Sequence, residues 1–504
     1  MPRGSHAHSL LPLTLLALAS AASLATAQEA VEVTVSWDKV VRVSKTTPTL
    51  QVVVNPMLRR GSPIHDQAFR ALHDLGGDYV RYVPWLPYPK LAVAELEPPR
   101  NGKTSWDFSL IDPVTVDFLK ATAGHPVMLN FSTIPQWMFK TEKPVSYPED
   151  PDQVTWTHEQ GTELRDPSMK EAADYYARLV SWYTKGGFKD EYGTWHASDH
   201  RYKIDYWEVL NEVDLEHTMP PEFYTRLYDA VVEAIRQVAP EMKFAGPGLA
   251  IPGKNPEFFQ YFLDRKNHKA GIPIDMISYH FYAVPTLDQT PEIQQFTFFE
   301  QADKFLDLVR YIESIRQSLS PETGTAINEI GAISADDLRQ FAPGYVFEPI
   351  PNSYWNLCAA LYAYVYGQLA QLGIDVAAES QLVGYPTQFP SVTMVDWTTG
   401  QPNARYWALK LLRSNFGPGD KLVETRVSLP YLYAQAFVTR DGQRRVLLVS
   451  KRDRPLEATL PGAAGARVEV VDQATGLQPP ATTQLKGEKL NLQGLAVAVV
   501  TLPH

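Results

Sequence analysis

The sequence predicts an α/β protein, a (β/α)8 TIM barrel followed by a smaller C-terminal antiparallel β-sandwich domain. After residue 45, short apolar runs alternate with helical patterns eight times. The runs are continuous rather than alternating, as expected of strands with helices on one face and packed side chains on the other. Past about residue 417 the texture changes to short alternating strands broken by Pro, Gly and Asn. At 504 residues the chain can hold one large domain and a small companion.

Residues 1–27 read as a secretory signal peptide. MPRGSHAHS carries one arginine, LLPLTLLALASAASLA is apolar but short for a membrane span, and Ala25-Thr26-Ala27 is a small-x-small cleavage pattern. The expected destination is therefore outside the cell or in the periplasm. Cleavage near Ala27 removes Arg3 and moves the formal charge from −11 to −12. Residues 28–45 contain VEVTVSWDKVV, which alternates and is expected to pair into the C-terminal β domain.

The barrel is expected over 46–417. LQVVVNP precedes DQAFRALHDLG, DYVRYVPW precedes DFSLIDPVTVDFLKATAG, and HPVMLNFST precedes KEAADYYARLVSWYTKGG. YWEVLNE precedes PEFYTRLYDAVVEAIRQVAP, MKFAGPGLA precedes PEFFQYFLDRKNH, and DMISYHFYA precedes EQADKFLDLVRYIESIRQSL. TAINEIG precedes NSYWNLCAALYAYVYGQLAQLG, and DVAAESQLVG precedes ARYWALKLLRSNFG. Strand alternating with helix implies right-handed parallel crossovers, and eight such units close a barrel. A doubly wound sheet is the alternative. It usually carries a glycine-rich phosphate loop after its first strand, and VNPMLRRGSP is not one. Over 418–504, YAQAFVTRDGQRRVLLVSKR reads as two strands around an Asp441-Gly442 turn.

A net charge of −11 argues against nucleic acid or an anionic membrane as partner. No segment after the first looks transmembrane. The single cysteine, Cys358, lies in an apolar helical stretch and reads as a buried small hydrophobe, so no disulfide is expected. There is no His-Glu-x-x-His, zinc-type cysteine pair, Gly-x-Ser-x-Gly elbow or phosphate loop, and no metal or cofactor is expected.

In this fold chemistry sits at the C-terminal strand ends. YWEVLNEVD brings Asn211 and Glu212 to the end of the fourth strand, and TGTAINEIG brings Asn328 and Glu329 to the end of the seventh. Two carboxyls facing one pocket suit hydrolysis of a glycosidic bond: one protonates the leaving oxygen while the other attacks or stabilises the anomeric carbon. Glu208 shares the face of Glu212 but lies deeper, where a hydrogen-bonded interior carboxylate is expected. Trp85, Trp137 and Trp397 follow strands two, three and eight, where sugar rings could stack.

Glutamates ending strands four and seven, with Asn before the first, resemble the retaining glycoside hydrolases of clan A. Within it the chain is most similar to family 39, which includes β-xylosidases and exopolysaccharide-cleaving endoglycosidases. The resemblance implies Glu212 as acid/base beside Asn211, and Glu329 as nucleophile. It implies His280 and Tyr282 in SYHFYA as the family's His-x-Tyr, and Arg81 in VRYVPW as the arginine beside the nucleophile. Leu210 stands where the family usually has tryptophan before Asn-Glu, and AAESQLVG lacks the tryptophan common on strand eight. Families 30, 51 and 79 stay open as alternatives of different sugar specificity. A carbohydrate-binding protein on a glycosidase barrel is the alternative from another class.

The expected substrate is an oligo- or polysaccharide with a β-linked glycoside, and no oligomeric state follows from the sequence. A retaining pair requires carboxyl groups about 5 Å apart, Tyr282 and Arg81 in reach of Glu329, and Asn211 facing the sugar's 2-hydroxyl.

Overall fold

The computed structural model describes residues 30–141, 147–156, 161–287, 289–339, 346, 348–386 and 388–503. The segment read as a signal peptide lies outside the described residues.

Eight parallel strands close a barrel in chain order: Thr47–Val53, Val80–Val83, Val127–Leu129, Tyr206–Glu208, Lys243–Leu249, Met276–Ala283, Gly324–Ala332 and Val376–Glu379. Each is the apolar run of its strand-then-helix unit, and Thr47–Val53 is buried along its whole length. The helices that follow bury one stripe on the barrel. Pro221–Val238, for example, turns Tyr224, Leu227, Tyr228, Val231, Val232 and Ile235 inward, at helical spacing. The barrel floor is apolar, with Met128, Tyr206, Ala245, Met276, Ala326, Val376 and Ala378 in one cluster. Above that floor the inward positions turn polar, which sets the site at the C-terminal end.

The β domain is one nine-stranded sheet rather than two separately bonded sheets. The strand Ala30–Val43 lies inside it, antiparallel to Lys421–Val427 and parallel to Leu456–Thr459. It is irregular between Ser36 and Arg42, where two register shifts interrupt the pairing. Leu456, Ala458, Leu490 and Leu492 meet Ala434, Val446 and Leu448 in a single core, so the sheet curls over on itself. Along Arg444–Ser450 the period of two is explicit: Val446 and Leu448 face that core, while Leu447 and Val449 join the barrel's core. Both faces of this strand are therefore buried, and the two domains share packing. Cys358 is buried and free, and burial pushes its thiol up to about 12. Among the described residues no helix is long and apolar enough to cross a membrane.

Candidate active site

Two local distortions bring the glutamates inward. On the seventh strand the pairing with the sixth slips between Ile327 and Glu329, so Asn328 and Glu329 together oppose His280. This is a bulge, and it points consecutive side chains into the barrel instead of to opposite faces. Asn328 Nδ2 then reaches Glu208 Oε1 at 2.7 Å, and Glu329 Oε1 receives Arg81 Nη1 at 2.5 Å. On the fourth strand the pairing ends at Glu208, short of Glu212. Leu210 and Glu212 then take left-handed backbone angles, φ 63° and 44°. Such angles are costly for non-glycine residues and persist only where the surroundings fix them. Here the N–H of Glu212 donates to the Gly248 carbonyl at 2.8 Å, and Gly248 itself sits at φ 61°, which glycine adopts freely.

Arg81 is the hub and is wholly buried. Nε donates to Glu208 Oε2 at 2.5 Å, Nη1 to Gln51 Oε1 at 2.8 Å and to Glu329, and Nη2 to Asn211 Oδ1 at 2.6 Å. Glu208 also accepts from Asn130 Nδ2 at 2.6 Å, so it is a fully bonded interior carboxylate. Burial alone would raise it, but the Arg81 and His280 charges and the bonds from Ser278 and Arg81 together outweigh burial and hold it below the ordinary range.

Tyr282 lies 2.6 Å from Glu329 Oε2 and donates to it. Its hydroxyl is also 2.6 Å from Ser380 Oγ, which Gln51 Nε2 contacts at 2.7 Å. On the other side, His280 Nδ1 is 3.0 Å from Glu212 Oε1, and its Nε2 is 3.6 Å from Glu329 Oε1.

The electrostatics split the pair. Burial raises Glu329, but His280, Arg81 and Tyr282 outweigh it and leave the carboxyl below its usual value. Burial raises Glu212 too, and there the hydrogen bond from His280 does not offset it, so that carboxyl is pushed up. The pair is thus split, one group shifted toward the carboxylate and its neighbour toward the protonated acid, as acid and nucleophile roles require. One donor atom from each of Glu212, His280 and Glu329 falls within 4.8 Å of the others. This trio could offer three ligands to a metal. Both oxygens of Glu329, however, are taken by Arg81 and Tyr282, Glu212 Oε1 is bound to His280, and the fixed guanidinium beside Glu329 opposes a dication.

The family model described as Glycosyl hydrolases family 39 matches residues 23–330, which include Arg81, Asn211, Glu212, His280, Tyr282 and Glu329. The chain belongs to glycosyl hydrolases family 39. A Beta-xylosidase from Caldicellulosiruptor saccharolyticus is 28% identical over 214 residues, 42% of this family 39 chain and 37% of that relative. The match thus spans little more than a third of the relative's length. The GH51 arabinofuranosidase from Xanthomonas axonopodis pv. citri superposes with a TM-score of 0.64 at 13% identity, over 94% of this chain and 99% of its own. The GH39 Beta-xylosidase from Caulobacter crescentus does so with 0.56 at 14% identity, over 94% and 100%. At those identities the likeness is one of fold, barrel and β domain together.

The three tryptophans fare differently in this family 39 site. Trp85 donates from Nε1 to Glu216 Oε1 at 2.6 Å, and Glu216 in turn receives Asn211 Nδ2 at 2.8 Å. Trp85 therefore touches the site's hydrogen-bond network. Trp137 donates to the Glu95 carbonyl at 2.8 Å, and the Arg165 guanidinium lies 4.4 Å over its ring. Trp397 is partly buried against the barrel's core. Trp156 and Phe389, which sequence reasoning passed over, pack around Trp85 at ring distances of 5.3 and 6.4 Å. Gln51, Asn130, Ser380 and Glu216 were missed as well. For Gln51 in LQVVVNP, Asn130 in VMLNFST and Ser380 in VAAES the one sequence signal is a polar residue inside or just past an apolar run, and Glu216 carries no such signal.

Proposed function

We propose that this protein is an exported, retaining glycoside hydrolase that cleaves a β-linked glycoside by double displacement. The observation that carries this reading is the paired carboxyls of Glu212 and Glu329, close across His280 and shifted in opposite directions. The short separation favours retention, since an inverting pair stands wider apart to admit water.

Glu329, ionised and aimed by Arg81 and Tyr282, attacks the anomeric carbon while Glu212 gives its proton to the departing oxygen. A glycosyl ester on Glu329 and a free alcohol result. Glu212, now a carboxylate, takes a proton from water. That water attacks the anomeric carbon, the ester bond breaks, and Glu329 returns as a carboxylate. Asn211 takes Arg81 on Oδ1 and Glu216 on Nδ2, and one N–H remains to serve the sugar's 2-hydroxyl.

The test is rescue by azide. Glu212→Ala should stall as a glycosyl-enzyme on a substrate with a good leaving group, and azide should release a glycosyl azide of retained configuration. Glu329→Ala should lose the retaining pathway and give inverted azide product. Full activity of Glu212→Ala on a poor leaving group would reject the acid/base role. β-Xylosides are the first substrates to screen, given the relative's name. Export is tested separately, by N-terminal sequencing of the protein recovered outside the cytoplasm, with cleavage near Ala27 expected.

A further inference from the structure

Glu216 is a third carboxyl beside the pair, and the mechanism above does not use it. It follows Glu212 by one helical turn, and its N–H donates to the Glu212 carbonyl at 2.7 Å. Oε1 accepts two bonds, from Trp85 Nε1 at 2.6 Å and Asn211 Nδ2 at 2.8 Å. The residue is partly exposed, and among the described residues no group bonds Oε2. Burial raises the carboxyl well above its usual value and Glu212 adds to the rise, against the two N–H bonds, so Glu216 is biased toward its protonated form. With both N–H donors on Oε1, the proton resides on Oε2. In that form Oε2 offers an O–H donor and a lone pair on the carboxyl that Asn211 and the indole of Trp85 hold by its other oxygen.

We propose that Glu216 is a specificity-determining residue whose Oε2 hydrogen-bonds a hydroxyl of the sugar seated between Glu212 and Trp85, selecting an uncharged, hydroxyl-bearing glycone over a uronic acid. The inference rests on the glycosidase reading. Charge supports the selection. The carboxyls held toward their ionised form, Glu208 and Glu329, are both bonded to Arg81, whose Nη2 also donates to Asn211, and His280 is bound to Glu212. Among the described residues bonded to these carboxyls no other cation stands ready for a sugar carboxylate. Buried groups shaped for a hydroxyl also discriminate strongly against an analogue that lacks it.

The experiment uses nitrophenyl glycosides of the best neutral sugar, its monodeoxy analogues and the matching uronide. Glu216→Ala should lower kcat/KM on the parent roughly tenfold or more, mainly through KM. Glu216→Gln should recover most of that loss, because its amide oxygen can accept from Trp85 and Asn211 while its NH2 donates outward. On one monodeoxy analogue the alanine variant should lose nothing further relative to wild type, a non-additivity that a merely structural role would not produce. Should the alanine variant fail to fold, the glutamine variant carries the same comparison through a weakened bond. An equal loss on every monodeoxy analogue, or a uronide turned over within about tenfold of the parent, would overturn the proposal. No turnover of any glycoside by the wild-type protein would overturn the glycosidase reading itself, and this one with it.

Discussion

Tyr282 has one phenolic proton, and Glu329 Oε2 at 2.6 Å receives it. Replacing Tyr282 by Phe removes a bond to the ionised carboxyl. It should lower kcat about ten- to a hundredfold, the cost of one hydrogen bond to a charged group. The acid limb of the kcat/KM profile should move to higher pH in the same variant, because less holds Glu329 ionised. In the wild-type protein that profile should be a bell. Activity falls on the acid side as Glu329 protonates at its lowered value, and on the basic side as Glu212 deprotonates at its raised one. At this scale Glu212 and Glu329 were legible as carboxyls closing apolar runs, whereas Arg81, His280 and Tyr282 were named only through the resemblance to family 39. Gln51, Asn130 and Ser380 also interrupt or follow apolar runs, yet a single polar residue there is common. Only closure of the barrel shows that they meet at Arg81, Glu208 and Tyr282.

Strand ends were read less well than strands, since the paired part of strand four stops at Glu208 and the left-handed turns beyond it leave no pattern in YWEVLNEVD. The bulge at Asn328 is equally silent, although it decides that Glu329 faces inward. Gly331 stands beside Tyr282 in the register, and a Cβ there would come within 3.0 Å of the tyrosine ring. Gly331→Ala should therefore displace that ring from Glu329 and reduce kcat several-fold while the melting temperature changes little, measured by kinetics and thermal unfolding together. The loop after strand two makes a separate prediction. Glu95 is fully buried, among the described residues neither carboxyl oxygen has a hydrogen-bond partner, and burial, with Glu191 adding, pushes it up to about 8. An acid raised on folding binds its proton more tightly in the native state. Its contribution is thus complete below the unfolded value of 4.5 and is lost as pH rises through about 8. Denaturant titrations from pH 4 to 9 should show that decline, and Glu95→Gln should flatten it.

Over the whole molecule, the alternation of strand and helix and the change of texture near residue 417 made the architecture legible, because period and length are local properties of the chain. The pairing of distant segments is not local. VEVTVSWDKVV alternates like an edge strand, but it is bonded on both sides, to Lys421–Val427 and Leu456–Thr459. A protein truncated to begin at residue 46 would leave Val423, Leu456 and Ala458 without Val31 and Val33 in their core. It should be recovered as aggregate, or should unfold at markedly lower temperature than the full chain, as differential scanning calorimetry would show. The same strand also sets an order of events. Glu32 bonds Ser428 across 396 residues, so a segment made among the first waits for partners made among the last. Closing so long a loop is slow, and until it closes the sheet has two raw edges open to any other strand. The protein's hazardous interval is therefore the one between release of its last residues and the arrival of its first ones, and a chaperone that shields residues 30–43 during that interval would raise the yield of folded molecules without touching the barrel.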